Sequence, residues 1–220
     1  DMVVYLQKLD VSMEKMDIAN KQIFIKDIYL EKPLFAQTEY DGSKPSTTNL
    51  TTIMEQIPVV SAFKWNQSGW QVKVNKLQVF DGSFVNNQYT ERKPYTDMFD
   101  GQHIRFFSIN GNISNMIFLA DTLHANISLT AKEQGGLEIK KLQSHLKFSP
   151  ELMEFKELDL QTNKSKLGNY FSMQYNSFNK DMSSFIHNVT LNADLNESVL
   201  SSDDLAIFAP LGRFQAVACL

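Results

Sequence analysis

Four histidines, one pair of adjacent carboxylates and three Asp-Gly steps are the residues whose types could do chemistry in this chain. His103, His124, His145 and His187 are scattered, and none stands at metal-ligand spacing from an Asp or Glu. His124 and His145 could face each other across a hairpin as a titratable pair, but histidines on a wet sheet face are the simpler reading. Asp203-Asp204 could be drawn as a general acid and base. In SSDD ahead of the apolar run LAIFA, they read instead as capping residues at the positive end of a helix dipole. The Asp-Gly pairs at 41, 81 and 100 lack the alternating acidic ligands of a calcium loop and read as turns. No nucleophile-elbow, zinc-helix, phosphate-loop or dinucleotide glycine motif occurs. The single cysteine, Cys219, supports neither a disulfide framework nor a thiolate metal site. The chain therefore reads as a non-enzyme with no cofactor and no metal.

The elements around these residues are strands. In LHANISLTA, residues 123–131, Leu123, Ala125, Ile127, Leu129 and Ala131 alternate strictly with polar side chains. Period-2 alternation puts all five on one face of a sheet. Gly135-Gly136 permits a turn, and LEIKKLQSHLKF, residues 137–148, runs back as a hairpin partner. Upstream, Ile23 and Ile25 give way to Ile28 and Leu30, a phase shift that predicts a bulge near Lys26-Asp27. Trp70, Val72 and Val74 shift likewise to Leu77 and Val79. Downstream, LMEFKELDLQT, YFSMQYNSF and FIHNVTLNADL extend the meander. Two short helices are expected. Leu50, Ile53, Met54 and Ile57 fall at helical spacing before Pro58, and the LAIFA turn ends at Pro210.

The balance is roughly ten strands against two short helices, too few to cover one face of so extended a sheet. That face must be buried on another sheet, on itself by curling, or on something that is not protein. Hydrophobic residues at 43% and charged residues at 21% suit a folded chain rather than a disordered one. A net charge of −4 without long runs of either sign argues against a nucleic-acid surface. No apolar run approaches the roughly 20 residues of a membrane-spanning helix. Seven Asn-x-Ser/Thr sequons are present, and in a chain this rich in Asn, Ser and Thr they read as chance matches rather than glycan sites. The chain opens in a strand-like run and stops without a finished element, so it reads as a piece of a longer protein. It is expected to form one β-rich unit over 1–220, with sub-units at 1–96 and 97–220.

From the residues alone, an ordinary β-sandwich core explains the alternation more simply than a lipid-lined groove would. Met13, Met16, Met153 and Met173 among Phe and Ile side chains would nonetheless make an adaptable groove lining. Two stretches bear on that choice. The first is IKDIYLEKPLFAQTEYDGSKPSTTNLTTIMEQI, residues 25–57, with its strand, Pro, strand and step into a short helix. It resembles the N-terminal part of AsmA-like proteins. The second is VTLNADLNESVLSSDDLAIFAPLG, residues 189–212, which resembles a segment of the TamB branch where a strand leads to S-x-DL-x-x-F-x-P. Between them, WQVKVNKLQVFDGSFVNN and DGQHIRFFSINGNI are similar to strand segments of TamB-like proteins from the Bacteroidetes group.

This resemblance implies a mainly β fold: an extended, curled, largely antiparallel sheet forming an open apolar trough, with two short helices. It implies a periplasmic location within a longer protein anchored in the inner membrane, although this chain contains neither the anchor nor the C-terminal domain of those proteins. The implied role is non-enzymatic, in outer-membrane biogenesis. The trough would shield phospholipid acyl chains between membranes, or assist assembly of outer-membrane proteins with an outer-membrane assembly-factor barrel as partner. The expected lipid-contacting residues are Leu123, Ile127, Leu129, Val189 and Leu191. The alternative is a closed β-sandwich used for adhesion or scaffolding.

Overall fold

The computed structural model describes residues 2–38, 66–87, 99–100, 102–176, 181, 188–196 and 198–208. The predicted helix at 50–57 and the sub-unit boundary at 96/97 lie outside these residues. Eleven strands are hydrogen-bonded into one open sheet. In chain order they are β1 (Met2–Tyr5), β2 (Lys8–Asp17), β3 (Gln22–Glu31), β4 (Leu34–Thr38), β5 (Gln71–Asn87) and β6 (His103–Leu119). There follow β7 (Thr122–Glu133), β8 (Glu138–Ser149), β9 (Leu152–Gln161), β10 (Lys166–Gln174) and β11 (Thr190–Asp194). A short helix, α1 (Ser202–Phe208), comes last.

From β5 to β11 the sheet is an antiparallel meander, as the polar turns between alternating runs predict. The hairpin of β7 and β8 forms as expected, with Leu123 opposite Phe148 and Leu129 opposite Leu142. Gly136 takes φ +100 at its turn, where a glycine costs least. On the other side of β5 the sheet is mixed. Strands β3 and β4 both run parallel to β5, end to end along its 17 residues. The break between them is at Lys32-Pro33, since proline has no N–H to give a ladder. Strands β2 and β1 cover β3 and β4 in turn, so β2 is an edge of the sheet among the described residues.

The phase shifts in the sequence coincide with extra residues lined up across the sheet. Ser12 pairs with Asp27 but Met13 with Ile25, which leaves Lys26 as the extra residue on β3. Glu14 is the matching extra residue on β2. Lys26 lies level with Asn75 on β5, and Asn75 with Asn115 on β6, where φ is +51. Between β6 and β7 the ladder shifts from Ser114–Asn126 to Ile117–His124, which places the surplus residue on β6. Between β8 and β9 the surplus falls on β9 around Glu157, also at φ +51. Strand β7 alternates strictly and has no bulge at this level. Each phase shift is thus absorbed by one surplus residue, and the apolar side chains beyond it return to the original face. The Asp81-Gly82 step, read from sequence as a turn or a bulge, is a second such bulge inside β5. Asp81 has φ +52 there, and its N–H donates to Asn110 Oδ1 at 2.9 Å.

Candidate functional site

Directly opposed residues on neighbouring strands share a face, so the registers can be followed from edge to edge. One row reads Met16, Ile23, Val72, Phe118, Leu123, Phe148, Met153, Met173 and Leu191, one apolar residue from each of nine strands. The next row begins Met13, Ile25, Val74, Met116 and resumes past the β6 bulge as Ala125, Leu146, Phe155, Phe171, Ala193. Beyond the bulges, Val11, Ile28, Leu77 and Ile113 lead to Ile127. A fourth row runs from Leu9 through Leu30, Val79 and Gly111 to Leu129, Leu142, Leu160 and Leu167. Ser144, opposite Ile127, sets a hydroxyl within this field. Its Oγ donates to the Lys156 carbonyl at 2.7 Å, so the group is satisfied within the sheet itself.

With strands about 4.8 Å apart and same-face residues about 6.8 Å apart along a strand, these rows cover roughly 40 Å by 20 Å. Burial deepens from the edges inward. Met16 at one edge is 55% exposed and Leu191 at the other 48%, whereas Val74, Ala125 and Ile127 fall to 1%, 5% and 8%. No second sheet stacks on this face among the described residues, where all eleven strands belong to one sheet. A two-layer sandwich, the alternative reading of the sequence, is therefore not the arrangement found.

Of the residues expected to contact lipid, Leu123 and Leu191 stand in the same row, and Ile127 and Leu129 on the same face. Val189 lies just before β11 and is half-buried. Met16, Met153 and Met173 share the first row, and Met13 opens the second. Sequence reading missed Phe118 and Phe148. Each sits in a phase-shifted or mixed run, and only its partner shows which face it takes.

The opposite face carries most of the charged side chains, with apolar ones among them. A row there reads Lys15, Phe24, Lys73, Ile117, His124, Lys147, Glu154, with the Lys73 ammonium 5.3 Å from the Phe24 ring centroid. His124 and His145 do not face each other, because the hairpin register pairs His124 with Lys147 and His145 with Asn126. The His145 ring nitrogens lie 2.5 Å from Asn126 Oδ1 and 3.1 Å from Glu157 Oε2. His103 is half-buried at the start of β6, and His187 lies outside the described residues. No group of three potential metal ligands occurs among the described residues.

Asp203 and Asp204 do occupy the first turn of α1, but the cap itself is Ser201, whose hydroxyl accepts the Asp203 N–H at 3.3 Å. The two aspartates tie α1 to the β9–β10 turn. Asp203 forms an ion pair with Lys164. Asp204, 4% exposed, accepts the Thr162 hydroxyl and, at 3.1 Å, the Lys164 N–H. Burial alone would raise the Asp204 carboxyl. Hydrogen bonds from the Ser165 and Thr162 hydroxyls and the Lys164 and Ser165 backbone hold it below its ordinary value instead. A lowered folded-state value means the tether is fully present above the ordinary carboxylate range and lost as pH falls through the folded value, below about pH 4. Asp204→Asn is expected to speed hydrogen exchange at the Lys164 and Ser165 amides roughly ten-fold at neutral pH, the loss of about 1.5 kcal/mol from a charged hydrogen bond. In the unaltered chain, exchange corrected for intrinsic rate should rise at the same amides when the pH is taken below 4.

No family model, no curated protein and no solved structure matches this chain.

Proposed function

We propose that this chain is a non-enzymatic, lipid-shielding segment whose apolar sheet face takes up phospholipid acyl chains while the headgroups stay in water. The observation that carries this reading is the set of apolar rows running unbroken across up to nine strands, with no second sheet laid over them among the described residues. Towards its two edges the face leaves large apolar side chains exposed, Met13, Met16 and Leu191 among them, and contiguous exposed apolar surface marks a place where a partner binds. An acyl chain suits it: each buried CH₂ is worth about 0.8 kcal/mol, and no directional contact is needed. Methionines at both ends of the first row supply side chains that adapt to a mobile tail.

Curling of the sheet into a trough fits the same facts. Aligned bulges bend strands and increase their twist. A concave face crowds its central side chains, in keeping with the low exposure of Val74, Ala125 and Ile127. The resemblance to AsmA-like and TamB-like proteins supports the same assignment. It extends the proposal to a periplasmic segment of an inner-membrane-anchored protein in outer-membrane biogenesis, moving phospholipid between membranes or assisting outer-membrane protein assembly.

Photo-crosslinking residues placed at Ile127 and Leu191, with His124 on the opposite face as control, test the reading in membranes. Phospholipid adducts at the first two and none at His124 are expected. Adducts to protein alone at both apolar positions would sink it.

A further inference from the structure

We propose that β2 pairs edge to edge with β2 of a second copy of this chain, antiparallel about a two-fold axis at Ser12. This rests on the edge strand alone and not on the lipid reading. Every residue of β2 from Lys8 to Met16 is exposed, and the strand's outer side carries no partner among the described residues. A long exposed strand is a template for another strand, and proline, inward-pointing charges, edge lysines and bulges are the devices that blunt it. Strand β2 has no proline and no charge among Leu9, Val11, Met13 and Met16, 46% to 55% exposed, on its apolar face. Its lysines alternate with aspartates on the other face, and its bulge at Glu14 falls at matching positions in two copies paired about Ser12.

The sequence of β2 is complementary to its own reverse. With Ser12 on the axis, Val11 meets Met13 of the other copy, Asp10 meets Lys15, Leu9 meets Met16, and Lys8 meets Asp17. Glu14 is passed over, as it is in the ladder with β3, where Met13 pairs with Ile25 and Lys15 with Phe24. Its carboxylate is already turned inward, accepting from Asn75 Nδ2 at 3.4 Å. Apolar residues thus meet only apolar ones, and each lysine meets an aspartate. Within one copy Lys8 already pairs with Asp10 at 2.7 Å and Lys15 with Asp17 at 3.3 Å. Edge pairing closes these pairs into squares of alternating charge. The register is also unique. A slip of two residues one way sets Lys8 against Lys15, and the other way Asp10 against Asp17, and opposed like charges destabilise a ladder. The result is a closed, isologous dimer in which the apolar rows of two sheets join into one.

Sedimentation of the purified chain over about 1–100 µM should show a monomer–dimer equilibrium. Lys15→Asp and Asp10→Lys, both exposed on the polar face, should each weaken it about ten-fold or more, since two attractive pairs become repulsive. An equimolar mixture of the two variants should dimerise again, because the mixed pair restores Lys against Asp at both contacts, and the double variant should dimerise by itself. A chain monomeric throughout the range, dimerisation indifferent to Lys15→Asp, or a mixture that stays monomeric would each overturn the pairing.

Discussion

Gly111→Ala is expected to lower stability by about 3 kcal/mol, near the top of the range for overpacked sites, and to drop the melting temperature by roughly 6–12 °C for a chain of this size. Gly111 sits on β6 directly opposite Leu129, inside an otherwise leucine-rich row. A Cβ there would lie 2.3 Å from the Ser128 carbonyl oxygen and 2.7 Å from Leu129 Cα and Cβ. Two of those three atoms are backbone and cannot swing aside, so β6 and β7 would have to separate. Backbone freedom is not the issue, because Gly111 is not among the positive-φ residues; the absent side chain is. Gly136 offers the contrast. It has open space around its Cβ position but φ +100, so any cost of alanine there comes from the backbone. Thermal and urea unfolding of Gly111→Ala measure the effect. A melting point within about 1 °C of the parent would mean that the Gly111–Leu129 register is wrong.

Ile127→Asp against His124→Asp is the second large contrast. Ile127 is 8% exposed, with Ile113 and Ser144 opposite it and Ala125 and Leu129 along its own strand. The Ser144 hydroxyl is committed to Lys156, which leaves an aspartate there without a ready donor. The substitution forfeits an apolar side chain and desolvates a carboxylate, so about 3–5 kcal/mol is expected. His124 lies three residues earlier, exposed on the other face and opposite Lys147. Aspartate there gains a cross-strand lysine, and stability should stay within about 0.5 kcal/mol. Equal losses at the two positions would refute the division of the sheet into an apolar and a polar face.

Much of this division was legible in the residues themselves. Strict alternation in β7 assigned Leu123, Ala125, Ile127 and Leu129 to one face, and the double glycine placed the return. The bulge at Lys26 was legible as well, because Ile25 and Ile28 cannot share a face in an unbroken strand. What could not be read was pairing. Strands β3 and β4 lie parallel to β5 through long connections, and no local signal marks a partner so distant in sequence. Register was equally hidden. One residue of slip in the hairpin decides whether His124 meets His145 or Lys147, and the alternation pattern is blind to that difference. Asp204 was recognised as belonging to a helix start. Its bonds to Thr162 and Lys164 depend on a turn some forty residues earlier, which no spacing rule reaches.

The surplus residues at Glu14, Lys26, Asn75, Asn115 and around Glu157 give the sheet something like a reading frame. Each strand that carries one is set in phase by it, and β7 is the ruler against which the others are aligned. Deleting the surplus Asn115 would leave Ile113, Met116 and Phe118 on one face by plain alternation, whereas deleting Ser128 from the regular run of β7 would turn Leu129 and Ala131 outward while Ile127 stayed inward. Away from the surplus positions, gain or loss of one residue is therefore not a local event in this molecule, even where the side chain is exposed. Changes of two residues, or paired changes on neighbouring strands at the same level, keep the frame and with it the continuity of the apolar rows.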